Sequence, residues 1–490
     1  MKGDGGIRGC VFTSILAAAI SGVPVYAAAT AANSSSTTES PQQMMQELRE
    51  LKAEVQELRQ EVQHPTKEQV DAVVREMNQD VQQRGKFSLP EVGYDNGFFI
   101  TTPDNNFSLH IGGYTQFRYT FARDNSAHNA ADFATPPKTG DASGFDFRYA
   151  RLYFTGHAFS PNLTYMIEGD FAGDSGNSND FQLVDNYIAW RFNDTFNVRM
   201  GSYLVPYSRV EYISSGLAFV DWPSLELPFD PVRSFGVSLY GEPVKDKLTY
   251  EFMVNNGPNA NHNGRAAQVG GLTDNRFGLA TRWQLFGGTG KPSDFDDESD
   301  LRKDKSTLAW MLGAAVGYDS INQSASAFPG GQKYTIPGVS SIGNPGFTTY
   351  PANGDIYRAT IDGEIKYQGW EFTGATYFEQ INETSATGIT LPTGYGNKLS
   401  FYNIAYYGQV GYMFLPKWEV VGRAGQFYTE GGANHEDEFS LGLNYFIFGH
   451  HAKLQGDLTY IPNALVTNST DGTSQSTDDL IARLQMQLKF

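Results

Sequence analysis

From Phe107 to Phe490, apolar and polar residues alternate in a series of short segments. In 107–121, Phe107, Leu109, Ile111, Phe117, Tyr119 and Phe121 share one face, and His110, Tyr114, Gln116 and Arg118 share the other. In 274–287, Phe277, Leu279, Trp283 and Leu285 oppose Arg276, Arg282 and Gln284. In 477–490, Leu480, Ala482, Leu484, Met486, Leu488 and Phe490 oppose Arg483, Gln485, Gln487 and Lys489. A period of two predicts a β-strand with one face in an apolar medium. Sixteen segments carry it: 107–121, 145–158, 162–173, 180–192, 195–203, 231–241, 246–256, 274–287, 306–319, 355–367, 369–381, 398–414, 416–429, 437–449, 450–462 and 477–490.

The connections alternate in length. Ser160-Pro161, Asn193-Asp194, Glu242 to Lys245, Gln368, Leu415 and Gly449-His450 are tight, whereas 122–144, 204–230, 257–273, 320–354, 382–397 and 463–476 are long. An even strand count with short turns on one side and long loops on the other predicts an all-β fold, a 16-stranded antiparallel transmembrane β-barrel. Such a barrel needs no continuous apolar run, because only alternate residues meet lipid. Residues 288–305 (GTGKPSDFDDESDLRKDK) break the rhythm and read as a long charged connection on the short-turn side. A soluble sandwich or propeller is the rival fold. It is disfavoured by alternation through sixteen segments without a blade repeat, by aromatics near segment ends, and by a chain that stops on a strand at Phe490.

Upstream the period changes. Lys2 and Arg8, the apolar core Val11 to Ile20, and small residues up to Ala27 or Ala29 make 1–29 a secretory signal. Residues 30–41 are a polar linker. In 42–63, Met44, Leu48, Leu51, Val55, Leu58 and Val62 are spaced 4, 3, 4, 3, 4, the core pattern of a coiled coil. Glu47 can reach Lys52, and Glu54 can reach Arg59, on a parallel neighbouring chain. Pro65 ends this run, 64–104 reads as linker or helix, and 105–490 is the barrel domain.

Composition narrows the function. The chain has 490 residues, of which 67 are aromatic (34 Phe, 27 Tyr, 6 Trp), and its formal charge of −18 disfavours nucleic acid as a partner. The single cysteine, Cys10, lies in the signal, so no thiol nucleophile or cysteine metal site is expected. Asp294, Asp296, Glu298 and Asp300 follow a calcium-loop spacing but have Ser299 and Lys305 where an EF-hand needs Gly and Glu. No metal, cofactor or catalytic residue is therefore expected. An outer-membrane enzyme would need a Ser/His pair, and nothing in the sequence activates Ser160 beside His157.

The loop 204–230 (LVPYSRVEYISSGLAFVDWPSLELPFD) is apolar and aromatic. Outward loops are polar, so this one is expected to fold into the lumen, with Arg209, Glu211 and Asp221 as constriction candidates. By alternation, the basic residues on the lumen side are Arg118, Arg148, Arg191, Arg199, Arg276, Arg282, Arg358, Lys366, Arg423, Lys453, Arg483 and Lys489. Arg151 stands three positions from Arg148, so both face inward only if a bulge shifts the phase between them. The same alternation puts Asp146, Glu168, Asp170, Asp185, Glu251, Asp362, Glu364, Glu371, Glu379, Glu419 and Asp457 inside. Twelve basic against eleven acidic side chains leaves little net field.

Three stretches resemble the phosphate-selective porin O and P family: Gly201 to Ser208 (GSYLVPYS) with Glu211 and Ser214-Ser215, Arg233 to Val237 (RSFGV), and Phe147 to Leu152 (FRYARL). The resemblance covers about 105–490. It implies a sixteen-stranded trimeric barrel whose third extracellular loop folds inward, and a lumen whose arginines (here Arg118, Arg148, Arg151, Arg191, Arg199, Arg276, Arg282, Arg358, Arg423 and Arg483) form an anion path. The expected function is an outer-membrane porin passing ions and small anionic or neutral solutes, with outer-membrane lipid around it. Phosphate selectivity is what the resemblance adds, and the near-neutral lumen argues against it. The expected homotrimer conflicts with Val at one coiled-coil core position and Leu at the other, which lean toward two strands. The alternative is a structural tether anchored through the coiled coil.

Overall fold

The computed structural model describes residues 90–490 apart from 96, 125–140, 173–180, 214, 227–228, 258–276, 323–352, 384–399, 431–434 and 468–473, together with Gln46, Arg49, Lys52 and Ala53. The chain divides into two units, Met1–Ser88 and Leu89–Phe490. In the first, those four residues are helical and exposed. The signal segment and the coiled-coil core Met44, Leu48, Leu51, Val55, Leu58 and Val62 lie outside the described residues.

The second unit contains β1 (Glu91–Tyr94), β2 (Phe98–Thr101), β3 (Ser108–Asp124), β4 (Asp141–Ala158), β5 (Ser160–Asp170), β6 (Gln182–Arg191), β7 (Asn197–Leu204), β8 (Arg233–Val244) and β9 (Leu248–Asn255). It continues with β10 (Gly278–Gly288), β11 (Ala309–Asn322), β12 (Asn353–Tyr367), β13 (Trp370–Glu383), β14 (Ser400–Leu415), β15 (Trp418–Thr429), β16 (His435–Phe446), β17 (Ala452–Thr467) and β18 (Ser474–Lys489). From β3 to β18 each strand pairs antiparallel with the next. β18 then pairs with β3, from Asp479 opposite Asp124 to Lys489 opposite Tyr114, and closes the wall. All sixteen segments read from the sequence coincide with these sixteen strands.

The remaining two strands correct the sequence reading, which left 64–104 as linker or helix. β1 and β2 form a hairpin whose second strand pairs with β3 from Phe98 opposite Ile111 to Thr101 opposite Ser108. It continues the edge of β3 where β18 stops: Phe490 exchanges backbone hydrogen bonds with Gly113, at 2.9 Å each way. The run Phe98-Phe99-Ile100 is too short to show a period, so its strand character emerges only from the open edge it fills.

The alternation has the expected physical cause. On β12, Ile361 is 62% exposed, whereas its neighbour Asp362 is 5% exposed. Apolar side chains point out to the membrane and charged ones point into the lumen, the reverse of a soluble barrel. Four of the six tryptophans, Trp190, Trp310, Trp370 and Trp418, lie toward the short-turn ends of their strands. Trp370 stacks on Tyr412 at 4.3 Å, and Trp418 lies 4.7 Å from Tyr445. Such rings form a girdle where lipid meets water. Gln368 and Gly369, both at positive φ (53° and 82°), make the two-residue turn between β12 and β13.

Candidate functional site

The connection from Leu204 to Arg233 folds inward, as its apolar composition requires. Val205 N–H donates to the Val232 carbonyl at 2.9 Å and pinches its base. It contains one short helix, α1 (Arg209–Tyr212). Tyr207, Val210, Ile213, Leu217, Leu225 and Phe229 pack against Ala315, Ala375, Tyr377, Ala405, Tyr407 and Phe427 of the wall. Small wall residues make the room. At Gly442 an added Cβ would lie 2.8 Å from Val421 and 3.2 Å from the Phe219 ring of the loop. A loop rich in apolar side chains is stable here because this part of the lumen presents Ala, Gly and aromatic surface to it.

The three constriction candidates, Arg209, Glu211 and Asp221, are each buried. Arg209 pairs with Glu364 and donates to the Phe295 carbonyl at 2.9 Å. Asp221 receives Arg118 at 3.0 Å and Arg148 at 3.2 Å, and has Arg483 at 3.7 Å. Burial alone would raise the Asp221 carboxyl, but Arg148, Arg118, Arg483 and Arg423 outweigh it and hold it at about 2. Glu211 is the opposite case: burial, reinforced by Asp230, pushes its carboxyl well above the usual range.

Arg118, Arg148, Arg151, Arg199, Arg282, Arg358, Lys366, Arg423, Lys453 and Arg483 all sit on the lumen side, in pairs or backbone contacts. Arg118 also pairs with Asp146, Arg282 with Asp362 at 2.7 Å, Arg358 with Glu379 at 3.0 Å, and Arg423 with Glu438 at 2.7 Å. Lys453 donates to the Leu217 carbonyl at 2.8 Å. Lys489 reaches the Ser215 hydroxyl at 3.1 Å. Arg191 is exposed at the short-turn end of β6, and Arg276 lies outside the described residues. The bulge that Arg151 required is present. Gln116 faces Tyr149 and Phe117 faces Phe147, so Arg148 is the extra residue. Arg151 thereby turns inward onto Asp170 (2.9 Å) and Glu168 (3.4 Å).

The lumen has two unlike walls. On the first, Arg151–Asp170, Arg199–Glu251 and Arg233–Asp185 keep side-chain exposures of 10–16%. Tyrosine rings flank them: Arg199 lies 4.0 Å from Tyr203 and Arg151 lies 4.1 Å from Tyr149. On the other, Arg282–Asp362, Arg358–Glu379 and Arg423–Glu438 keep no more than 5%. The loop seals the second wall and leaves the first as the side solvent reaches. Arg233 was missed in the sequence because it opens its strand directly after the loop, where phase is undefined.

The 289–308 connection lies on the short-turn side, as read from the sequence, and it enters the lumen. Phe295 packs with Phe286, Ala309 and Met311, and Glu298, Ser299 and Asp300 are buried. The acidic run finds partners on the wall and on the loop instead of water.

Against known proteins, residues 123–270 match the family model described as phosphate-selective porin O and P. Over these residues the chain resembles that family. The match spans the strands from the end of β3 past β9, including the inward loop, and so contains every stretch that carried the resemblance. No curated protein matches the chain in sequence. Among solved structures it is similar to the anion-selective porin from Comamonas acidovorans, with 12% identity and a TM-score of 0.49, covering 78% of this chain and 100% of that one. It is also similar to the outer membrane channel DcaP of Acinetobacter baumannii, with 12% identity and a TM-score of 0.47, covering 80% and 99%. A third is OmpT of Vibrio cholerae, with 11% identity and a TM-score of 0.45, covering 82% and 100%.

Proposed function

We propose that this protein is an outer-membrane porin that passes ions and small hydrophilic solutes, anionic or neutral, by passive diffusion with weak ion selectivity. The observation that carries this is charge compensation in a narrowed lumen. Each of Arg118, Arg148, Arg151, Arg199, Arg282 and Arg358 lies against a carboxylate. A ring of unpaired arginines would set up a field that draws anions. Paired arginines leave hydrogen-bonding capacity and steric filtering but little net potential. The inward loop then acts chiefly as a size filter, and no cofactor takes part.

The test is a reversal potential in a planar bilayer under a KCl gradient, followed by titration with inorganic phosphate. A small reversal potential without block is expected. Strong anion selectivity with block at low phosphate would overturn the compensated-lumen reading and restore the arginine path the family resemblance implies. A homotrimer is part of the same proposal, with the mature chain starting after Ala27 or Ala29 and the 42–63 coiled coil in the periplasm. Native mass of the detergent-solubilised protein should equal three protomers, and a persistent monomer would contradict it.

A further inference from the structure

We infer that segment 289–308 is a second constriction element, entering the barrel from the short-turn side, and that Phe295 and Asp296 at its tip filter what leaves the lumen there. The inference rests on the porin reading and adds a determinant that the inward loop does not supply.

The segment is anchored like a built part, not a stray turn. The Lys366 ammonium, buried on β12, donates to the carbonyls of Asp294 and Asp297 at 2.7 Å each and to the Asp297 carboxylate at 3.0 Å. Ser299 donates to Glu419 at 2.8 Å, and the Gly369 N–H donates to Asp300 at 3.0 Å. Three separate elements, β12, β15 and the β12–β13 turn, therefore grip one short stretch. Gripping by a buried cation and a backbone amide would be wasted on a turn meant to face solvent.

The segment also meets the inward loop in the middle of the lumen. Glu298 N–H donates to the Gly216 carbonyl at 3.0 Å, and the Glu298 carboxylate accepts from Ala218 N–H at 2.8 Å. The contact is close enough to need a glycine: a Cβ at Gly216 would lie 2.5 Å from the Asp296 carbonyl oxygen. The two insertions enter from opposite ends and brace each other over the sealed wall. Beside them remains a cavity of about 660 Å³, whose lining includes Arg191, Arg209, Tyr212, Glu251, Phe295 and Asp296. It lies between both insertions and the solvent-reached wall, so a solute leaving on the short-turn side passes it. Its charges are mixed, which suits neutral and zwitterionic solutes, and the Phe295 ring, packed on Phe286, Ala309 and Met311, forms part of its lining.

The test replaces residues 290–306 with Asn-Gly, joining Thr289 to Thr307, whose hydroxyls already stand 2.9 Å apart. Asn-Gly is the preferred two-residue hairpin turn, so the barrel keeps a legal connection. Single-channel conductance should rise about twofold or more, since the narrowest constriction limits conduction. Phe295→Ala and Asp296→Asn are smaller changes that guard against misfolding. The first should admit larger neutral solutes in a liposome-swelling assay, and the second should shift the reversal potential toward anions. Conductance and solute cut-off equal to the parent protein in the shortened-turn and Phe295→Ala variants would overturn the inference while leaving the porin reading intact. Absence of current from parent and variant alike, with both barrels folded by heat-modifiable mobility, would sink the porin reading itself.

Discussion

Asp221 draws three arginines of the barrel wall onto the inward loop. It sits on the loop, yet its partners Arg118, Arg148 and Arg483 belong to β3, β4 and β18. Replacing it with asparagine leaves buried guanidiniums short of a counter-charge. Breaking a buried pair in this way costs about 3–5 kcal/mol, so Asp221→Asn should lower the urea midpoint of the folded barrel and move the reversal potential toward anions. A midpoint and potential equal to the parent would show that the clamp carries no weight. The pH dependence follows from the sign of the shift. A carboxyl depressed to about 2 contributes stability that is present above its ordinary value of 3.8 and is lost only as pH falls through about 2. Conductance should therefore show no Asp221-linked step between pH 7 and pH 4, and a step there would mean the residue is not held as described. Alternation put Arg118, Arg282 and Arg358 on the inner face, but not Arg233, which opens its strand. Which inward arginines were already paired was not, because Arg282 and Asp362 are eighty residues apart in the chain and meet only across the barrel wall.

At the level of elements, the inward loop was readable because its composition contradicts its position: Val, Phe, Tyr and Trp do not make a solvent-facing loop. Deleting 209–225 should raise conductance, and an unchanged value would mean the loop packs elsewhere in the membrane-inserted protein. The turn 289–308 was not readable for the converse reason. Its acidic run looks like any solvated turn, and the groups that bury it, Lys366, Gly369 and Glu419, lie sixty or more residues further on. The hairpin 91–101 was hidden because four-residue strands carry too little pattern. Strand faces make a separate prediction. Ile361→Lys on the lipid side of β12 should cost about 2–4 kcal/mol near the bilayer midplane, read as a lowered urea midpoint after refolding into vesicles. No loss would mean that this face of β12 meets water.

For the molecule as a whole, closure between β18 and β3 makes the sixteen-stranded wall self-sufficient. The β1–β2 hairpin continues an edge without sealing the barrel, and its Val92 is 68% exposed. Removing residues 90–102 should therefore leave a folded, heat-modifiable barrel of unchanged conductance, and failure to fold would make the hairpin part of closure.

The bulge in β4 has a consequence for how the wall tolerates changes in length. Before it the inward residues of β4 are even-numbered, Asp146 and Arg148; after it they are odd-numbered, Tyr149 and Arg151. Arg148 is thus a parity switch. Losing one residue in the body of this strand away from the bulge would exchange the odd and even sets and turn charged side chains toward hydrocarbon. Losing Arg148, or its inward neighbour Tyr149, would leave the other residues of β4 on the side they already occupy. That bulge is where a codon can vanish from this strand without turning the wall inside out.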